Sequence, residues 1–273
     1  MIPARKRWGQ HFLVRSEIAR RIVEASGVGA GDTAFEVGPG EGALTRPLAE
    51  SAGRLVAVEI DPLRAEALER EFVSFADVRV LRGDVLDKSF TAWLADAGWA
   101  PPAVLVSNLP YNVATPILLA AVEEEGTFSR AVATVQKEVA RRFSAVPGAE
   151  QYGYLSVWAA AFARARVLFD LPPGAFRPPP KVTSSVLELV PRAQPLEPET
   201  RQRALRLASL AFRFRRKTLV NALSSAAGRS QVERALEQLG RGPKTRAEEL
   251  SLADFLALGG QLDVESTTSI ESR

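Results

Sequence analysis

Short apolar runs alternate with longer segments of helical periodicity in the first half of the chain. The predicted strands lie at 33–37, 54–59, 78–82, 104–107 and 131–135. Helices are predicted at 17–25, 43–51, 62–72 and 115–122. Strands that are apolar almost throughout and separated by helices are typical of a parallel sheet covered on both faces. The pattern therefore predicts a doubly wound, Rossmann-like α/β domain.

The pattern changes in the second half of the chain. Two further strand-like runs, 165–171 and 182–190, are joined by the proline-rich segment LPPGAFRPPPKV. Such a connection has no room for the helix that a parallel crossover needs. We therefore expect an antiparallel strand near one edge of the sheet.

The chain after 190 reads as a linker followed by helices. Residues 191–200 are rich in proline, and helical patterns follow at 198–212, 215–227, 230–239 and 251–258. We expect an α/β domain over 1–192, a small all-α domain over 193–260 and a disordered polar tail over 261–273.

Composition excludes several classes of chemistry. The chain has 273 residues, 46% of them hydrophobic, with no cysteine and a single histidine, His11. Disulfides, thiol catalysis, cysteine-held metals and histidine-rich metal sites are excluded, so we expect no metal. No apolar run approaches the roughly 20 residues of a membrane span, and no signal segment is evident. We expect a cytoplasmic protein without a membrane partner.

Positive charge is concentrated in two blocks. The net charge is only +3, but residues 200–232 contain arginines and a lysine without any acid, and the amino terminus is also basic. Charge alone fits a solvated face as well as a binding surface. Two basic blocks flanking an enzyme-like middle favour a polyanion such as nucleic acid.

A glycine loop follows the first strand of the predicted sheet. The stretch EVGPGEG, 36–42, contains Gly38 and Gly40 in the spacing G-x-G-x-G. Glycines between a strand and a helix allow a ligand to approach the backbone closely. The carboxylate of Glu41 inside the loop would repel a pyrophosphate, which disfavours NAD and favours a ligand that carries positive charge.

Acidic residues follow the next two strands. Glu59 closes the strand at 54–59, where a carboxylate accepts hydrogen bonds from ribose hydroxyls, and Asp84 follows the strand at 78–82, where it could accept from an adenine amine. With Gly38, three successive strand ends converge on the edge where open α/β sheets bind ligands. S-adenosylmethionine, a nucleoside bearing a sulfonium, fits this set better than a dinucleotide.

The strand at 104–107 delivers the sequence NLPY to the same edge. The side-chain oxygen of Asn108 and the carbonyl of Leu109 could accept hydrogen bonds from the exocyclic amine of an adenine. Pro110 confines Leu109 to extended conformations, and Tyr111 could stack on an extracted base. Such a site aims the amine at a methyl sulfonium without a conventional base. A helix-entrance turn with a core tyrosine is the alternative.

Six motifs in order resemble the ribosomal RNA adenine dimethyltransferase family. They are GQHFL (9–13), EVGPGEG (36–42), VEID (58–61), GDV (83–85), NLPYN (108–112) and FRPPPKVTS (176–184). The resemblance covers about residues 5 to 258 and is strongest to the small-subunit (16S) branch. It implies transfer of methyl groups from S-adenosylmethionine to N6 of two adjacent adenosines in a hairpin loop near the 3′ end of small-subunit RNA. The product would be N6,N6-dimethyladenosine.

The resemblance also implies roles for individual residues. His11 and Leu13 would line the cofactor, with Gly38 at its methionine part and Asn108 between cofactor and substrate. Phe176 would form the second face of a sandwich around the adenine, opposite Tyr111. The sequence departs from the family at His11, where many relatives carry asparagine. Both side chains donate a hydrogen bond, but histidine can also change charge near neutral pH.

Basic residues are expected to contact the RNA. The run 210–223 is similar to the family's basic helix, in which Leu210, Phe214, Leu219, Leu223 and the stem of Lys217 would pack. The expected RNA-binding residues are Arg5, Lys6, Arg7, Lys181, Arg213, Arg215, Arg216 and Lys217. The expected partner is an assembling small ribosomal subunit, bound by a monomer.

Three other interpretations stay open at the level of sequence. A resistance methyltransferase acting on large-subunit RNA has the same type of N-x-P-Y loop. A non-catalytic nucleic-acid-binding relative would keep the fold, although the intact motifs argue against lost catalysis. An NAD-linked oxidoreductase is the weakest, because Glu41 occupies the phosphate loop.

Overall fold

A computed structural model describes residues 11–262, which form two compact units. The first contains the described residues up to Arg141 together with Ala163–Ala193. The second contains Arg142–Phe162 and the described residues from Gln194 onward. The chain thus leaves the first unit, contributes one segment to the second and returns before the carboxy-terminal helices.

The first unit is built on a seven-stranded sheet with the order β4-β3-β2-β5-β6-β9-β7. Strands β2 to β6 are parallel, and β9 runs antiparallel between β6 and β7, so the predicted α/β fold with an antiparallel strand near one edge is confirmed. A separate antiparallel pair joins β1 to β8. The strands are β1 (Phe12–Leu13), β2 (Thr33–Val37), β3 (Arg54–Glu59), β4 (Val78–Arg82), β5 (Ala103–Asn108), β6 (Phe128–Gln136), β7 (Ala163–Leu171), β8 (Phe176–Arg177) and β9 (Ser184–Pro191).

Helices cover the sheet and leave its central strands buried. They are α1 (Ser16–Ser26), α2 (Thr45–Ser51), α3 (Pro62–Glu71), α4 (Phe90–Asp96) and α5 (Ala114–Glu123), with α6 (Lys137–Ser144) at the boundary of the two units. Every residue of β2 is buried, as expected for a strand covered on both faces. The rings of Phe35, Phe90 and Phe128 pack edge to face beneath it. This core fixes the strand ends that carry the candidate site.

The second unit is a cluster of helices around an aliphatic core. Its helices are α7 (Tyr154–Phe162), α8 (Pro198–Arg213), α9 (Leu219–Ala227), α10 (Arg229–Gln238) and α11 (Leu252–Gly259). Leu207, Leu223 and Phe255 are among its fully buried side chains. The Tyr152 hydroxyl donates to the carbonyl of Leu250 at 2.7 Å, and burial raises the pKa of this phenol to about 12.

The basic run 210–223 is divided between two helices, as the predicted helices at 198–212 and 215–227 require, but the second helix begins later than predicted. Helix α8 ends at Arg213 and α9 begins at Leu219, with Thr218 capping α9 through its hydroxyl. Phe214, predicted to pack, is 45% exposed. The guanidinium of Arg215 donates to the carbonyls of Glu150 and Tyr152, and these bonds hold the residues between α8 and α9 in a turn.

The sequence pattern did not predict helices α4, α6 and α7. The division into units also differs from the expected domain boundary, because residues 142–162, expected in the α/β domain, belong to the helical unit. Within the expected tail, Leu262 is buried, and residues 263–273 lie outside the described part of the chain. Across residues 11–262, none of the helices combines the length and the apolar character needed to cross a membrane.

Candidate active site

The glycine loop between β2 and α2 depends on glycine at two positions. Gly38 and Gly40 have φ angles of 64° and 60°, in the left-handed region that other residues rarely adopt. A Cβ on Gly40 would lie 2.8 Å from the ring of Phe12. The loop therefore turns tightly at the carboxyl edge of the sheet and brings its backbone against the β1 segment.

Glu59, at the end of β3, fastens this loop to the neighbouring strand. Its Oε2 accepts from the amide of Gly40 and its Oε1 from the amide of Asp61, both at 2.9 Å. Burial, with 1% of the residue exposed, raises the pKa of the carboxyl, and the two amide donors partly counter this. Each oxygen accepts one of these bonds, which leaves it one further lone pair for a ligand hydroxyl.

Asp84, beyond the end of β4, is half-buried and caps a short turn. Its Oδ1 accepts from the amide of Leu86 at 3.0 Å. Its position depends on Gly83, where an added Cβ would lie 2.4 Å from the indole of Trp93. Because β2, β3 and β4 are parallel neighbours, the structure brings Gly38, Glu59 and Asp84 to one edge, as predicted.

Glu36 lies in β2, directly before Val37 and the glycine loop, and is a site residue that the sequence reasoning missed. It is 1% exposed, and burial raises the pKa of its carboxyl to about 8, with a smaller contribution from the nearby Glu59. Its Oε2 has no hydrogen-bond partner among the described residues. An acid inside an otherwise apolar strand, directly before a glycine loop, was the available signal.

Asn108 ends β5, the strand next to β2, and its amide has a defined orientation. Nδ2 donates to the carbonyl of His11 at 2.9 Å. That carbonyl can only accept, so the amide nitrogen must face it and the oxygen must face away. Within the described part of the chain, this buried Oδ1 has no hydrogen-bond partner. The site therefore presents an unused acceptor at the position where the sequence predicted one.

Tyr111 is held at both its hydroxyl and its ring. The hydroxyl is hydrogen-bonded to that of Ser184 on β9, and burial raises the pKa of the phenol. The His11 imidazole stacks on the Tyr111 ring, with centroids 5.1 Å apart and planes 28° from parallel. Nδ1 of His11 lies 2.7 Å from the carbonyl of Pro178 and must carry the proton to donate to it.

Phe176 does not lie against Tyr111 in this structure. It occupies β8, pairs with Leu13 and is 3% exposed within the core of the first unit. Its ring is drawn into that core because β8 pairs with β1, beside α1. The imidazole of His11, rather than the ring of Phe176, is stacked on Tyr111.

The acceptor groups at this site suit a cationic nucleoside, although the enclosed space is small. Phe12, Leu13, Glu36, Gly38 and Asn108 line a pocket of about 20 Å³, room for one water molecule. Phe12 fills the space beside Gly40, so a larger ligand requires this ring to shift. Unpartnered acceptors and buried carboxyls suit a ligand with ammonium, sulfonium and hydroxyl groups, and they do not suit a phosphate.

The described residues among the predicted RNA-binding set do not line this pocket. Lys181 is exposed after β8. Arg213 at the end of α8 is exposed, as are Arg215, Arg216 and Lys217 in the turn that follows, beside a cavity of about 600 Å³. Arg215 is also engaged with carbonyls and with Glu248, 3.8 Å away. Arg5, Lys6 and Arg7 lie outside the described residues.

Comparison with known proteins identifies one family. A family model described as "Ribosomal RNA adenine dimethylase" matches residues 1–262. The protein named ribosomal RNA small subunit methyltransferase A from Xanthomonas campestris pv. campestris (strain 8004) is 41% identical over 257 residues, 94% of this chain and 95% of that protein. A protein of the same name from Magnetococcus marinus is 40% identical over 254 residues, 93% of this chain and 90% of its own.

Solved structures share the fold. The crystal structure of the 23S rRNA methyltransferase ErmE superposes with a TM-score of 0.72 at 27% identity, over 92% of this chain and 99% of that one. A dimethyladenosine transferase from Plasmodium falciparum gives a TM-score of 0.75 at 23% identity, over 91% and 96%. Both extend the likeness across the sheet and the helices that follow it.

Proposed function

The chain belongs to the ribosomal RNA adenine dimethylase family, and from this premise we propose that it dimethylates N6 of two adjacent adenosines in small-subunit ribosomal RNA. S-adenosylmethionine is the methyl donor. The target we propose is the hairpin loop near the 3′ end of that RNA, and the product is N6,N6-dimethyladenosine. High identity to proteins named for the small subunit, over nearly the whole chain, supports this choice of RNA.

One observation carries the proposal, namely the unpartnered Oδ1 of Asn108. A buried acceptor without a donor costs about 1–3 kcal/mol, and a ligand N–H removes that cost. We propose that Oδ1 and the adjacent carbonyl of Leu109 accept the two N–H groups of the adenine amine. Both bonds hold the nitrogen lone pair on the line of attack, so that no side chain has to remove a proton before the methyl is transferred.

The neighbouring strand ends would hold the methyl donor. When bound, S-adenosylmethionine supplies a methyl group on a positively charged sulfur. We propose that Glu59 accepts from its ribose, Asp84 from its adenine amine, and the backbone at Gly38 and Gly40 lies along its methionine part. The buried carboxyl of Glu36 is protonated at neutral pH and would ionise beside a cationic ligand, which would then place a negative charge next to it. Leu13 and His11 would close the site from the β1 side.

The target base would be captured on Tyr111. Its hydroxyl is anchored to Ser184, which fixes the plane of the ring. Because His11 already covers one face at 5.1 Å, a base must use the other face or displace the imidazole. Phe176 would complete a sandwich only after leaving the core in which it is 3% exposed.

Basic residues would hold the RNA outside the pocket. We propose that Lys181 and the exposed turn of Arg213, Arg215, Arg216 and Lys217 contact phosphates, together with Arg5, Lys6 and Arg7. A hairpin loop offers little surface by itself, so the partner we propose is an assembling small ribosomal subunit in the cytoplasm, engaged by a monomer.

The test is to offer the protein radiolabelled S-adenosylmethionine with unmethylated small or large subunits, and then to digest the RNA and identify the labelled nucleoside. We expect dimethyladenosine from small subunits alone. Label in large subunits would instead assign the activity of the resistance methyltransferases, which the likeness to ErmE keeps as the second candidate. Cofactor binding without label in either subunit would point to a non-catalytic relative.

A further inference from the structure

A second, larger cavity opens beside the candidate active site in the first unit. Its volume is about 430 Å³, within the range of roughly 300–1,000 Å³ typical of ligand sites. The start of α1, the loop leading into α2, α2 itself and Arg177 of β8 form its walls. It shares Leu13, Glu41 and Ala43 with the small pocket of the candidate site, so the two are neighbours. We call it the α1–α2 groove.

Arginines dominate the lining of the α1–α2 groove. They are Arg15, Arg20, Arg46 and Arg177, against Glu41 and Glu50. Arg46 is committed to a bidentate pair with Glu71, at 2.6 and 2.9 Å. Likewise, the carboxylate of Glu41 lies 3.6 Å from the guanidinium of the buried Arg64. Without Arg46 and Glu41, the lining contains three arginines against Glu50, so its net charge is positive.

Two of the arginines are available to a ligand. Arg20 and Arg177 are exposed, and neither side chain has a hydrogen-bond or ion-pair partner within residues 11–262. Guanidinium groups bind phosphate oxygens with parallel N–H donors, and an unpaired guanidinium keeps both donors free. The groove therefore has the chemistry of an anion site whose ligand must reach two arginines on different elements, α1 and β8.

We propose that the α1–α2 groove binds the phosphodiester backbone of the RNA strand that flanks the target adenosine. This proposal rests on the proposed function and adds a contact surface to it. Arg177 lies between Phe176 and Pro178, and the carbonyl of Pro178 accepts from the His11 ring that is stacked on Tyr111. A base held on Tyr111 would therefore have its neighbouring phosphates near the mouth of the groove.

The α1–α2 groove is distinct from the basic residues at 213–217, because those residues belong to the second unit.

The test compares Arg20→Gln, Arg177→Gln and their double variant with Arg54→Gln. Arg54 is an exposed arginine of the same unit at the amino end of β3, on the opposite edge of the sheet. Binding of unmethylated small-subunit RNA is measured from low to moderate salt, and steady-state methylation gives kcat and KM. The dissociation constant of S-adenosylmethionine checks that the neighbouring pocket is intact.

We expect each groove variant to lower the slope of log affinity against log salt by roughly 1, and the double variant by about 2. KM for RNA should rise while kcat and cofactor affinity stay unchanged. Slopes for all variants equal to that of Arg54→Gln would overturn the groove as an RNA site, even if the wild-type protein methylates small subunits. If the groove variants lower the slopes as expected but the wild type transfers no methyl group, the proposed function is contradicted and the groove is not, because the binding measurement does not depend on turnover.

Discussion

The most quantitative expectation concerns the buried carboxyl of Glu36. Burial, reinforced by Glu59, raises its pKa from the usual 4.5 to about 8, while Thr45 and Arg46 oppose this only in part. At neutral pH the folded protein therefore keeps a proton on Glu36 that the unfolded chain has lost. Folding is then coupled to the binding of one proton across this interval.

The sign of the effect follows from the raised pKa. Below pH 4.5 the carboxyl is neutral in both states, and its contribution to stability is fully present. As the pH rises towards 8, the unfolded chain gains the stabilisation of an ionised, hydrated carboxylate, and the free energy of unfolding falls. One pH unit corresponds to about 1.4 kcal/mol, so the full loss between pH 4.5 and 8 is on the order of 5 kcal/mol.

Glu36→Gln removes the titration and keeps the size of the side chain. We expect the variant and the wild type to unfold with similar free energies at pH 5. At pH 8 the variant should be more stable by a few kcal/mol. Urea unfolding between pH 5 and 8, followed by circular dichroism, measures the difference, and hydrogen exchange of the β2 amides reports on the first unit directly.

The matched control is Glu69→Gln, which removes an exposed carboxyl from α3. This control should follow the wild type at every pH. A Glu36→Gln stability difference that stays constant from pH 5 to 8 would refute the argument, because it would mean that Glu36 has the same pKa in the folded and unfolded states. A cationic ligand beside Glu36 should favour ionisation, so cofactor binding at pH 7 should release protons in calorimetry with buffers of different ionisation enthalpy.

Three further substitutions test the site and its supports. Asn108→Ala should lower kcat by about 100- to 1,000-fold while leaving part of the cofactor affinity, and near-normal turnover would contradict the acceptor role. Gly83→Ala should destabilise the first unit by about 1–3 kcal/mol in chemical unfolding, because its Cβ would lie 2.4 Å from the Trp93 ring. Phe176→Ala should cost about 3–5 kcal/mol of stability, as expected for a buried ring, and an unchanged unfolding midpoint would show that Phe176 is not held in the core.

Much of the first unit could be predicted because its strands are long enough and apolar enough to be recognised. The run 33–37, for example, is buried at every residue, and its sequence has no competing helical period. In contrast, α7 has the sequence YLSVWAAAF and is apolar on most of its surface, so periodicity could not separate it from the strand that follows directly. Short apolar runs are ambiguous in this way until their packing is known.

The start of α9 shows a second limit of sequence reasoning, because a helix was predicted from residue 215 and α9 begins at Leu219. The residues FRRK at 214–217 contain no glycine or proline, and local propensity favours helix there. The turn is fixed by Arg215, whose guanidinium donates to the carbonyls of Glu150 and Tyr152, 65 and 63 residues earlier in the chain. Thr218 was the local signal for a new helix, since its hydroxyl caps α9.

The orientation of the Asn108 amide could not be predicted from residue types and depends on contacts in the folded chain. Sequence placed Asn108 at a strand end, but an amide offers a donor and an acceptor, and nothing local decides which of them faces a ligand. The decision comes from the backbone carbonyl of His11, which accepts from Nδ2 and leaves the buried Oδ1 without a partner among the described residues. Because a backbone carbonyl performs this task, histidine or asparagine at position 11 orients Asn108 equally well. The side chain at position 11 is therefore not needed to orient Asn108, and the imidazole of His11 instead stacks on the ring of Tyr111.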